Sequence, residues 1–439
     1  MSQITAKNYT PYCLPGLTPL TLTNGKKVPL STIELRITTK ALNCGLYFRA
    51  PSRELALISG AGISGLAASF ELLARGFKVI IAEKRGDFSR FNVINLNVET
   101  QHFLKKFGLL KEFKKHVAAR IQTHRCVHIG EKGQRELSSS DVRKLQLGNV
   151  SFEPENFGQL FNEDGIYSVK IKDLQTFLAK KVLEAGAHLV GNVEVEVLEH
   201  ASTGRVSKVR IVGKESLSEP MTLQPDLFFV AEGAHSTTAD QLGMGTSEVE
   251  NGCTGENWIF GNVAYSGNKT FVVSIVDTSK KTLEIANVIF NAKIHEINVA
   301  VTSSKDQSQQ HIRNRILEVA QQAFHLEDIQ GPPQFIAAVE RPVTVKNKKR
   351  TLFSKSNVFL IGDTAGCSSP LAGLGGTLGL TLIPRTIKQL LDDREKQPIQ
   401  MHQNFERFTD AYTSRWIEKS MAVKNFCLDK FNSEKGVSR

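Results

Sequence analysis

The segment 60–65 reads GAGISG and has the glycine spacing GxGxxG. In such a turn Gly60 permits a tight bend, Gly62 lets the backbone approach a pyrophosphate, and Gly65 lets a helix pack closely on a strand. Backbone N–H groups near Ser64, at the start of the helix, then face the anion. The chemistry indicated is the binding of a dinucleotide through its phosphates.

The residues around this turn have the order of a βαβ unit. An apolar strand at 55–59 precedes the glycines, a helix is expected from about 64 to 75, and a second apolar strand follows at 78–82. Glu83 ends that second strand, where a carboxylate can accept hydrogen bonds from ribose hydroxyls. This pattern predicts a dinucleotide site but does not distinguish FAD from NAD.

Two later strand ends favour FAD. One buried strand ends in Glu232 and Gly233, and another ends in Gly362 and Asp363. Asp363 can accept hydrogen bonds from ribityl hydroxyls, and glycines after it let backbone N–H groups reach a pyrophosphate or a flavin carbonyl. The further candidates in that loop are Pro370, Gly373, Gly375 and Gly376. A loop of this kind indicates a long ligand.

These three features together resemble the flavoprotein monooxygenase superfamily that includes p-hydroxybenzoate hydroxylase. Its members carry GxGxxG, then an Asp-Gly strand end, then a Gly-Asp strand end, and all three occur in this order over residues 55–425. Glu232 stands where the superfamily usually has Asp. In the superfamily the Asp at this position contributes both to the positioning of FAD and to the use of NADPH. The extra methylene of Glu232 displaces the carboxylate from that position.

A narrower resemblance begins at the acidic residue. Residues 83–96 read EKRGDFSRFNVINL, similar to the pattern E-K-R-x-x-F-S-R-x-N-V of the MICAL monooxygenases. The resemblance implies FAD contacts from Glu83, Arg85, Arg90 and Asn92, with Lys84 beside them, and from Lys172, near a family arginine. Two arginines also supply planar donors for phosphate and a stacking surface for adenine. The loop after Asp363 instead resembles geranylgeranyl reductases and flavin halogenases, so oxidation of actin is not carried over.

The expected fold is α/β: a GxGxxG Rossmann-like FAD-binding domain with an inserted β-sheet substrate domain and a helical C-terminus. The expected ranges are 1–54 for an N-terminal extension, 55–250 for the first part of the FAD-binding domain, 251–345 for the β-rich substrate domain, 346–390 for the return segment and 391–439 for the helical region. Helical spacing at 172–185 and strand patterns at 271–276 and 297–302 support this division.

The composition and the charge distribution limit the kinds of partner that the protein is expected to bind. Hydrophobic residues make up 41% and charged residues 23%, as in folded globular proteins. The net charge of +11 is scattered, and the densest basic patch, at 346–350, has no interleaved aromatic residues, so a nucleic-acid partner is not expected. The glycines within the apolar stretch 55–74 argue against a transmembrane segment.

The cysteines and histidines predict neither disulfides nor a metal. The six cysteines form no C-x-x-C pair, which favours a reducing compartment and hence a cytoplasmic location, with secretion by a non-classical signal left open. His124, Cys126 and His128 alternate along one predicted strand, but no fourth ligand is evident. No metal is therefore expected.

The resemblance implies a reaction. NADPH or NADH, bound transiently, reduces FAD, oxygen adds at the flavin C4a, and the hydroperoxide oxygenates a substrate that the sequence does not identify. A small aromatic, a lipid or a protein side chain are all compatible, and no catalytic side chain is singled out. Two alternatives stay open: a flavin-dependent reductase of an isoprenoid-like double bond, suggested by Pro370 and Leu371, and a non-catalytic flavin-binding interaction protein, suggested by Glu232 and the extension.

Overall fold

The structure is a computed structural model of the 439-residue chain. It describes residues 54–90, 92–96, 98–130, 133–136, 166–214, 220–261, 269–279, 283–292, 296–303, 308–326, 334–338, 343–350, 356–368, 375–397 and 400–433, and three two-residue strands before residue 54. For 247–261, 334–338 and 343–349 it describes the backbone alone.

Helices and strands alternate at first and then separate into a strand-rich middle and a helical end. The helices are α1 (Ile63–Ala74), α2 (Val98–Lys106), α3 (Leu110–His116), α4 (Ile171–Glu184), α5 (Thr237–Gln241), α6 (Gln309–Leu326), α7 (Gly375–Lys396) and α8 (Met401–Ser433). The strands are β1 (Tyr12–Cys13), β2 (Leu20–Thr21), β3 (Lys27–Val28), β4 (Leu55–Ser59), β5 (Lys78–Ala82), β6 (Asp87–Phe88), β7 (Val93–Leu96), β8 (Ala119–Arg120), β9 (Thr123–Gly130), β10 (Gly133–Glu136), β11 (Tyr167–Lys170), β12 (His188–Val190), β13 (Val193–His200), β14 (Val206–Gly213), β15 (Met221–Leu223), β16 (Leu227–Val230), β17 (Thr246–Gly261), β18 (Phe271–Asp277), β19 (Glu284–Asn291), β20 (Glu296–Ser303), β21 (Gln334–Ala338), β22 (Val343–Arg350), β23 (Val358–Leu360) and β24 (Gly366–Cys367).

A five-stranded parallel sheet forms the first lobe, in the order β12-β5-β4-β16-β23. Helices α1, α4 and α7 contribute to the core on one face, and the antiparallel strands β13, β14 and β15 cover the other. Burial on both faces explains why the sheet strands are continuous apolar runs such as LALIS and LFFV. The Rossmann-like fold expected from the sequence is confirmed.

The order of the parallel strands places the predicted chemistry at one edge. Gly60, Glu83 and Glu232 follow β4, β5 and β16, and Gly362 follows β23 closely. All four positions lie at the carboxyl ends of adjacent parallel strands, which is where open α/β sheets bind ligands.

A nine-stranded sheet forms the second lobe. Its path is β10-β9-β18-β19-β20-β17-β22-β24, with β21 paired to β17, and among these pairs only β9 and β18 run parallel. Helix α6 packs Ile312 and Ile316 against one face of this sheet, beside Val273 and Val299. The sheet includes β9 and β10, which come from within the range expected for the FAD-binding domain.

The segment from Gly362 to Cys367 connects the two lobes. It leaves β23 of the parallel sheet, forms a short 3-10 helix at Gly362–Thr364, and then pairs as β24 with β22 of the large sheet. The Arg350 N–H donates to the Ala365 carbonyl at 3.0 Å beside that pairing. The predicted Gly-Asp motif is therefore at the junction between the lobes.

Candidate functional site

The glycine turn between β4 and α1 has the geometry that its spacing predicts. Gly60 has φ of +108°, and a Cβ there would lie 2.3 Å from the Ala231 carbonyl oxygen. A Cβ on Gly65 would lie 2.1 Å from the Gly60 carbonyl oxygen. At Gly62 the nearest atom is 4.0 Å away, so this glycine is not required by protein packing. Its space is available for a ligand.

The N-terminus of α1 is ready to bind an anion. Gly62 is its N-cap residue, and no side chain caps the first turn. The N–H groups of that turn therefore lack the side-chain acceptor that commonly satisfies them. Together with the positive end of the helix dipole, they suit a pyrophosphate.

Glu83 is fixed beside this turn. Its carboxylate accepts hydrogen bonds from the Ala61 N–H at 2.6 Å and from the Arg85 N–H at 3.0 Å. Lys84 points elsewhere, since its ammonium lies 3.5 Å from the exposed carboxylate of Glu194. The Arg85 side chain is exposed, and its carbonyl accepts from the Asn192 N–H.

Arg90 and Asn92 hold the start of α4 through their backbone carbonyls. The Lys172 N–H donates to the Arg90 carbonyl at 2.9 Å, and the Ile171 N–H donates to the Asn92 carbonyl at 2.8 Å. These bonds place Arg90 and Asn92 next to Lys172, so the two sequence segments that resemble the MICAL monooxygenases are in contact. The Asn92 Oδ1 atom is buried without a hydrogen-bond partner, and burial lowers the pKa of the Lys172 ammonium.

Gln175 also reaches the site, although the sequence did not single it out. Its buried side-chain amide donates to the Ala61 carbonyl at 3.1 Å and so ties α4 to the glycine turn. Gln175 comes three residues after Lys172, and one helical turn therefore places both on the same face of α4. The three-residue spacing from Lys172 is the feature of the sequence from which Gln175 could have been predicted.

The carboxylate of Glu232 is surrounded by donors. It accepts from the Ser59 and Thr238 hydroxyls, from the Ser236 hydroxyl at 2.7 Å, and from the Thr238 N–H at 3.1 Å. Ser236 in turn caps α5 by accepting from the Ala239 N–H. Glu232 thus joins the end of β4 to the start of α5.

The Glu-Gly and Gly-Asp strand ends contact each other and the glycine turn. The Gly233 N–H donates to the Thr364 hydroxyl oxygen at 2.9 Å, and that hydroxyl donates to the Gly233 carbonyl at 3.1 Å. Gly362 has φ of +61°, and a Cβ there would lie 2.5 Å from the Ser64 Oγ. Three motifs that are far apart in sequence therefore meet at one point.

Asp363 is the acidic side chain at that point. It is exposed, yet the surrounding protein atoms displace enough water to raise the pKa of its carboxyl, and the charge of Arg90 partly opposes this rise. An accessible acid with its own arginine is suited to hydroxyl donors on a ligand.

The loop that follows is described in part. Pro370 and Gly373 lie outside the described residues. Gly375 and Gly376 begin α7, where a Cβ on Gly376 would lie 2.7 Å from Ile94. A side chain at 376 would therefore have to displace the end of the Ile94 side chain, where α7 approaches β7.

Helix α8 supplies side chains that the sequence did not assign to the site. The Tyr412 hydroxyl lies beside the Thr409 side chain and the Gly362 backbone, without a well-formed hydrogen bond, and burial raises its pKa. The indole of Trp416 lies near Gly375, where a Cβ would be 3.6 Å from its ring. Residues 409, 412 and 416 have the spacing of one helical face. From this spacing the sequence could have predicted that the three side chains lie together.

These residues fit FAD. A dinucleotide needs an uncapped helix N-terminus beside a glycine without packing neighbours, and α1 and Gly62 provide both. A flavin and its ribityl chain need polar partners, and the unpartnered Asn92 oxygen and the exposed Asp363 carboxyl are such groups. The fold and this set of groups define an FAD-binding oxidoreductase of the p-hydroxybenzoate hydroxylase type.

Comparison with known proteins identifies the family. The FAD binding domain model matches residues 54–381, and the chain belongs to that family. FAD is the cofactor that the family binds. The sequence is also 41% identical over 73 residues to the F-actin monooxygenase MICAL2 of Rattus norvegicus, and 43% identical over 65 residues to that of Homo sapiens. Those matches cover 17% and 15% of this chain, but only 4% and 3% of the two relatives.

Solved structures share the fold over most of the chain. The tetrameric form of 2-methyl-3-hydroxypyridine-5-carboxylic acid oxygenase aligns with a TM-score of 0.59 at 15% identity, over 88% of this chain and 93% of that one. PqsL, a probable FAD-dependent monooxygenase from Pseudomonas aeruginosa, aligns with a TM-score of 0.56 at 15% identity, over 86% and 95%. Aklavinone-11 hydroxylase, in a complex with FAD and aklavinone, aligns with a TM-score of 0.58 at 15% identity, over 79% and 64%.

Two further findings concern metals and membranes. Among the described residues, no three His, Cys, Asp or Glu side chains stand together as metal ligands, and the His128 Nε2 instead shares a 2.9 Å hydrogen bond with the Thr278 hydroxyl. Within the described part of the chain, no helix has both the length and the apolar character needed to span a membrane.

Proposed function

We propose that the protein is an FAD-dependent monooxygenase that uses NAD(P)H and O2 to oxygenate a substrate. The reaction balances as RH + O2 + NAD(P)H + H⁺ giving ROH + H2O + NAD(P)⁺. The observation that carries the proposal is the contact of the glycine turn with the Glu232–Gly233 strand end and with the Gly362–Asp363 turn, in a chain of the FAD-binding family. The flavin, when bound, supplies the redox chemistry, with oxygen transfer from C4a as the expected route.

The residues of this chain bind and orient the cofactor. The uncapped start of α1 binds the pyrophosphate, Glu83 is placed for the adenosine ribose, and Asp363 for the ribityl chain. Asn92 offers a buried amide oxygen, which suits an N–H donor of the flavin ring. The exposed guanidinium groups of Arg85 and Arg90 suit phosphate and adenine.

Turnover assays test the reaction. NADPH and NADH are each added to the FAD-loaded protein, and oxygen consumption and peroxide release are measured with and without catalase. A monooxygenase without its substrate is expected to oxidise at least one of the nucleotides slowly and to release peroxide. The NADPH and NADH arms also decide which nucleotide is used.

The two alternatives give different results in the same assay. Turnover that continues without oxygen when an isoprenoid alkene is supplied would favour the reductase. Absence of oxidation with either nucleotide, in protein that retains FAD, would favour the flavin-binding interaction protein. The Glu232 carboxylate supports that second alternative, because it accepts hydrogen bonds from Ser236 and Thr238 and so has fewer acceptor sites left for a nucleotide. A cytoplasmic location rests on the cysteine pattern and stays a prediction.

A further inference from the structure

Helix α8 packs along strand β23 and continues past the carboxyl end of that strand. The Phe405 ring lies edge-on to the Phe359 ring of β23, with 4.9 Å between the ring centroids, and the His402 ring is stacked on Phe359 at 5.6 Å. Residues 409, 412 and 416 follow Phe405 at the spacing of successive helical turns, which keeps them on the same face. This face therefore extends from the sheet to the turn that begins at Gly362.

Trp416 lies in a cluster that joins three segments of the cofactor site. It is 5% exposed and packs with Cys367 of β24 and Leu378 of α7. Ala234, in the turn after β16, packs against the same cluster. A Cβ on Gly375, the first residue of α7, would lie 3.6 Å from the Trp416 ring. The indole thus supports the turn after β16, the connection between the lobes and the start of α7.

Tyr412 contacts the turn that carries the acid expected to bind the ribityl chain. Its hydroxyl lies beside the Gly362 backbone and the Thr409 side chain, and it interacts electrostatically with the Asp363 carboxyl. A Tyr hydroxyl can both donate and accept a hydrogen bond. Tyr412 is therefore placed to fix the backbone of this turn and, through it, the direction of the Asp363 side chain.

The polar atoms of this face lower stability. Thr409 Oγ1, the Tyr412 hydroxyl and Trp416 Nε1 are buried, and none of the three has a well-formed hydrogen bond. The residues are 2%, 6% and 5% exposed. Buried polar groups of this kind destabilise the folded state, and apolar side chains of similar size would pack the same face without that penalty. Stability therefore does not explain these residue types, whereas a role at the adjacent cofactor site does.

We propose that Tyr412 and Trp416 are positioning residues for FAD: the Tyr412 hydroxyl fixes the Gly362–Asp363 turn, and the Trp416 indole fixes the start of α7 beside that turn. The proposal deepens the oxygenase function proposed above, because it assigns further residues to the same cofactor site. Both residues act through the backbone segments that they hold and not on the reacting atoms.

FAD titration of the flavin-depleted protein tests the proposal. Tyr412→Phe keeps the ring and removes only the hydroxyl, and it is expected to weaken FAD binding about tenfold. Trp416→Phe is expected to weaken it at least about fivefold, because the smaller ring leaves the start of α7 less well supported. An FAD affinity of Tyr412→Phe equal to that of the wild type would overturn the proposal, whether or not Trp416→Phe folds.

Phe405→Leu is the matched control on the same helix. It loosens the packing of α8 on Phe359 but leaves the contacts with the Gly362–Asp363 turn in place. It is expected to unfold at a lower temperature than the wild type and to keep its FAD affinity within about twofold. If Phe405→Leu weakened FAD binding as much as Tyr412→Phe does, the effect would come from general loosening of α8, and the assigned roles would be wrong.

Thermal unfolding separates positioning from a purely structural role. Flavin-depleted Tyr412→Phe is expected to unfold at the same temperature as the flavin-depleted wild type or a higher one, because the variant lacks a buried hydroxyl without a good partner. A structural residue would give the reverse result, a lower unfolding temperature with unchanged FAD affinity, and that result would overturn the proposal.

Hydrogen exchange supplies a readout that is independent of turnover. FAD binding is expected to slow amide exchange at residues 409–416 about threefold or more in the wild type, and to leave α6 unchanged. Unchanged exchange at 409–416 would contradict the proposal. The proposed oxygenase function fails separately, through the absence of nucleotide oxidation in protein that holds FAD, and that failure affects neither the FAD titration nor the exchange rates.

Discussion

Glu232 illustrates how one side chain departs from a family pattern at the scale of the residue. The sequence identified it as the position where Asp is usual. In the structure its carboxylate accepts four hydrogen bonds, from Ser59, from Ser236 and twice from Thr238. A charged acceptor with this many donors stabilises the local structure substantially. A direct contact of Glu232 with FAD stays a prediction.

Asp363 differs from Glu232, because its protein environment disfavours the charged form of its carboxyl. The surrounding protein atoms displace water from this exposed side chain and raise the pKa of its carboxyl, so the folded protein holds this proton more tightly than the unfolded chain does. Between the ordinary value of 3.8 and the raised value, the free energy of unfolding therefore falls as the pH rises. The carboxylate is maintained at a cost in stability, as is common at functional sites.

Asp363→Asn tests this cost. The flavin-free variant is expected to unfold at a higher temperature than the flavin-free wild type at pH 8, with a smaller difference at pH 5, because the amide has no charge to desolvate. Its FAD affinity is expected to fall by about tenfold or more. Thermal unfolding and FAD titration measure the two effects. Glu418→Gln, an exposed substitution on α8, serves as the control, and a lower unfolding temperature of Asp363→Asn at pH 8 would contradict the account.

A buried ionic cluster connects elements of the second lobe. Arg315 of α6 pairs with Asp277 of β18 and with Glu284 of β19, at 3.0 Å for the latter, and its side chain is 8% exposed. Glu318 adds an i,i+3 partner at 3.0 Å. One guanidinium therefore pairs with three carboxylates and links the helix to the sheet, while Glu284 also hydrogen bonds with His311 Nε2 at 2.9 Å and Asp277 accepts from the Ser279 N–H at 2.9 Å.

Arg315→Met is expected to lower the free energy of unfolding by roughly 3–5 kcal/mol, because it removes the guanidinium that pairs with the buried carboxylates of Asp277 and Glu284. Urea unfolding measures the loss, and hydrogen exchange on β18 and β19 assigns it to this lobe. Arg407→Met, on the exposed face of α8, is expected to change stability by less than about 0.5 kcal/mol. A loss no larger than that of the control would contradict the role given to Arg315.

Local patterns predicted some elements accurately. The predicted strands at 55–59 and 78–82 match β4 and β5 at both ends, because burial on both faces gives continuous apolar runs that glycines interrupt. The helix expected at about 64–75 is α1, Ile63–Ala74, and the one at 172–185 is α4, Ile171–Glu184. These elements are specified by neighbouring residues.

Non-local pairing was harder to predict. Strand β9 joins the second lobe by pairing in parallel with β18, some 150 residues further along the chain, and β24 joins it next to Asp363. No local periodicity encodes either partner. The contribution of α8 to the site was missed for the same reason, since the spacing of residues 409, 412 and 416 indicates a shared face but not what that face covers.

At the scale of the whole molecule, the site is a meeting point of distant segments. The glycine turn after β4, the acid after β5, and the turns after β16 and β23 come together because parallel strands align their carboxyl ends. The sequence identified these groups one by one, and the sheet order explains their proximity. The segment Gly362–Cys367 then carries the chain from this edge into the second lobe.

The most direct test of FAD binding at this edge is the visible absorption spectrum of the purified protein after FAD reconstitution, compared with that of Gly62→Val and Gly245→Val. The wild type and Gly245→Val are expected to hold about one FAD per chain, since a Cβ at 245 meets nothing within 4 Å. Gly62→Val is expected to lose the flavin while unfolding at a similar temperature, because its Cβ meets only the ligand space. A wild-type protein that stays colourless, or a Gly62→Val variant that retains its flavin, would contradict the account.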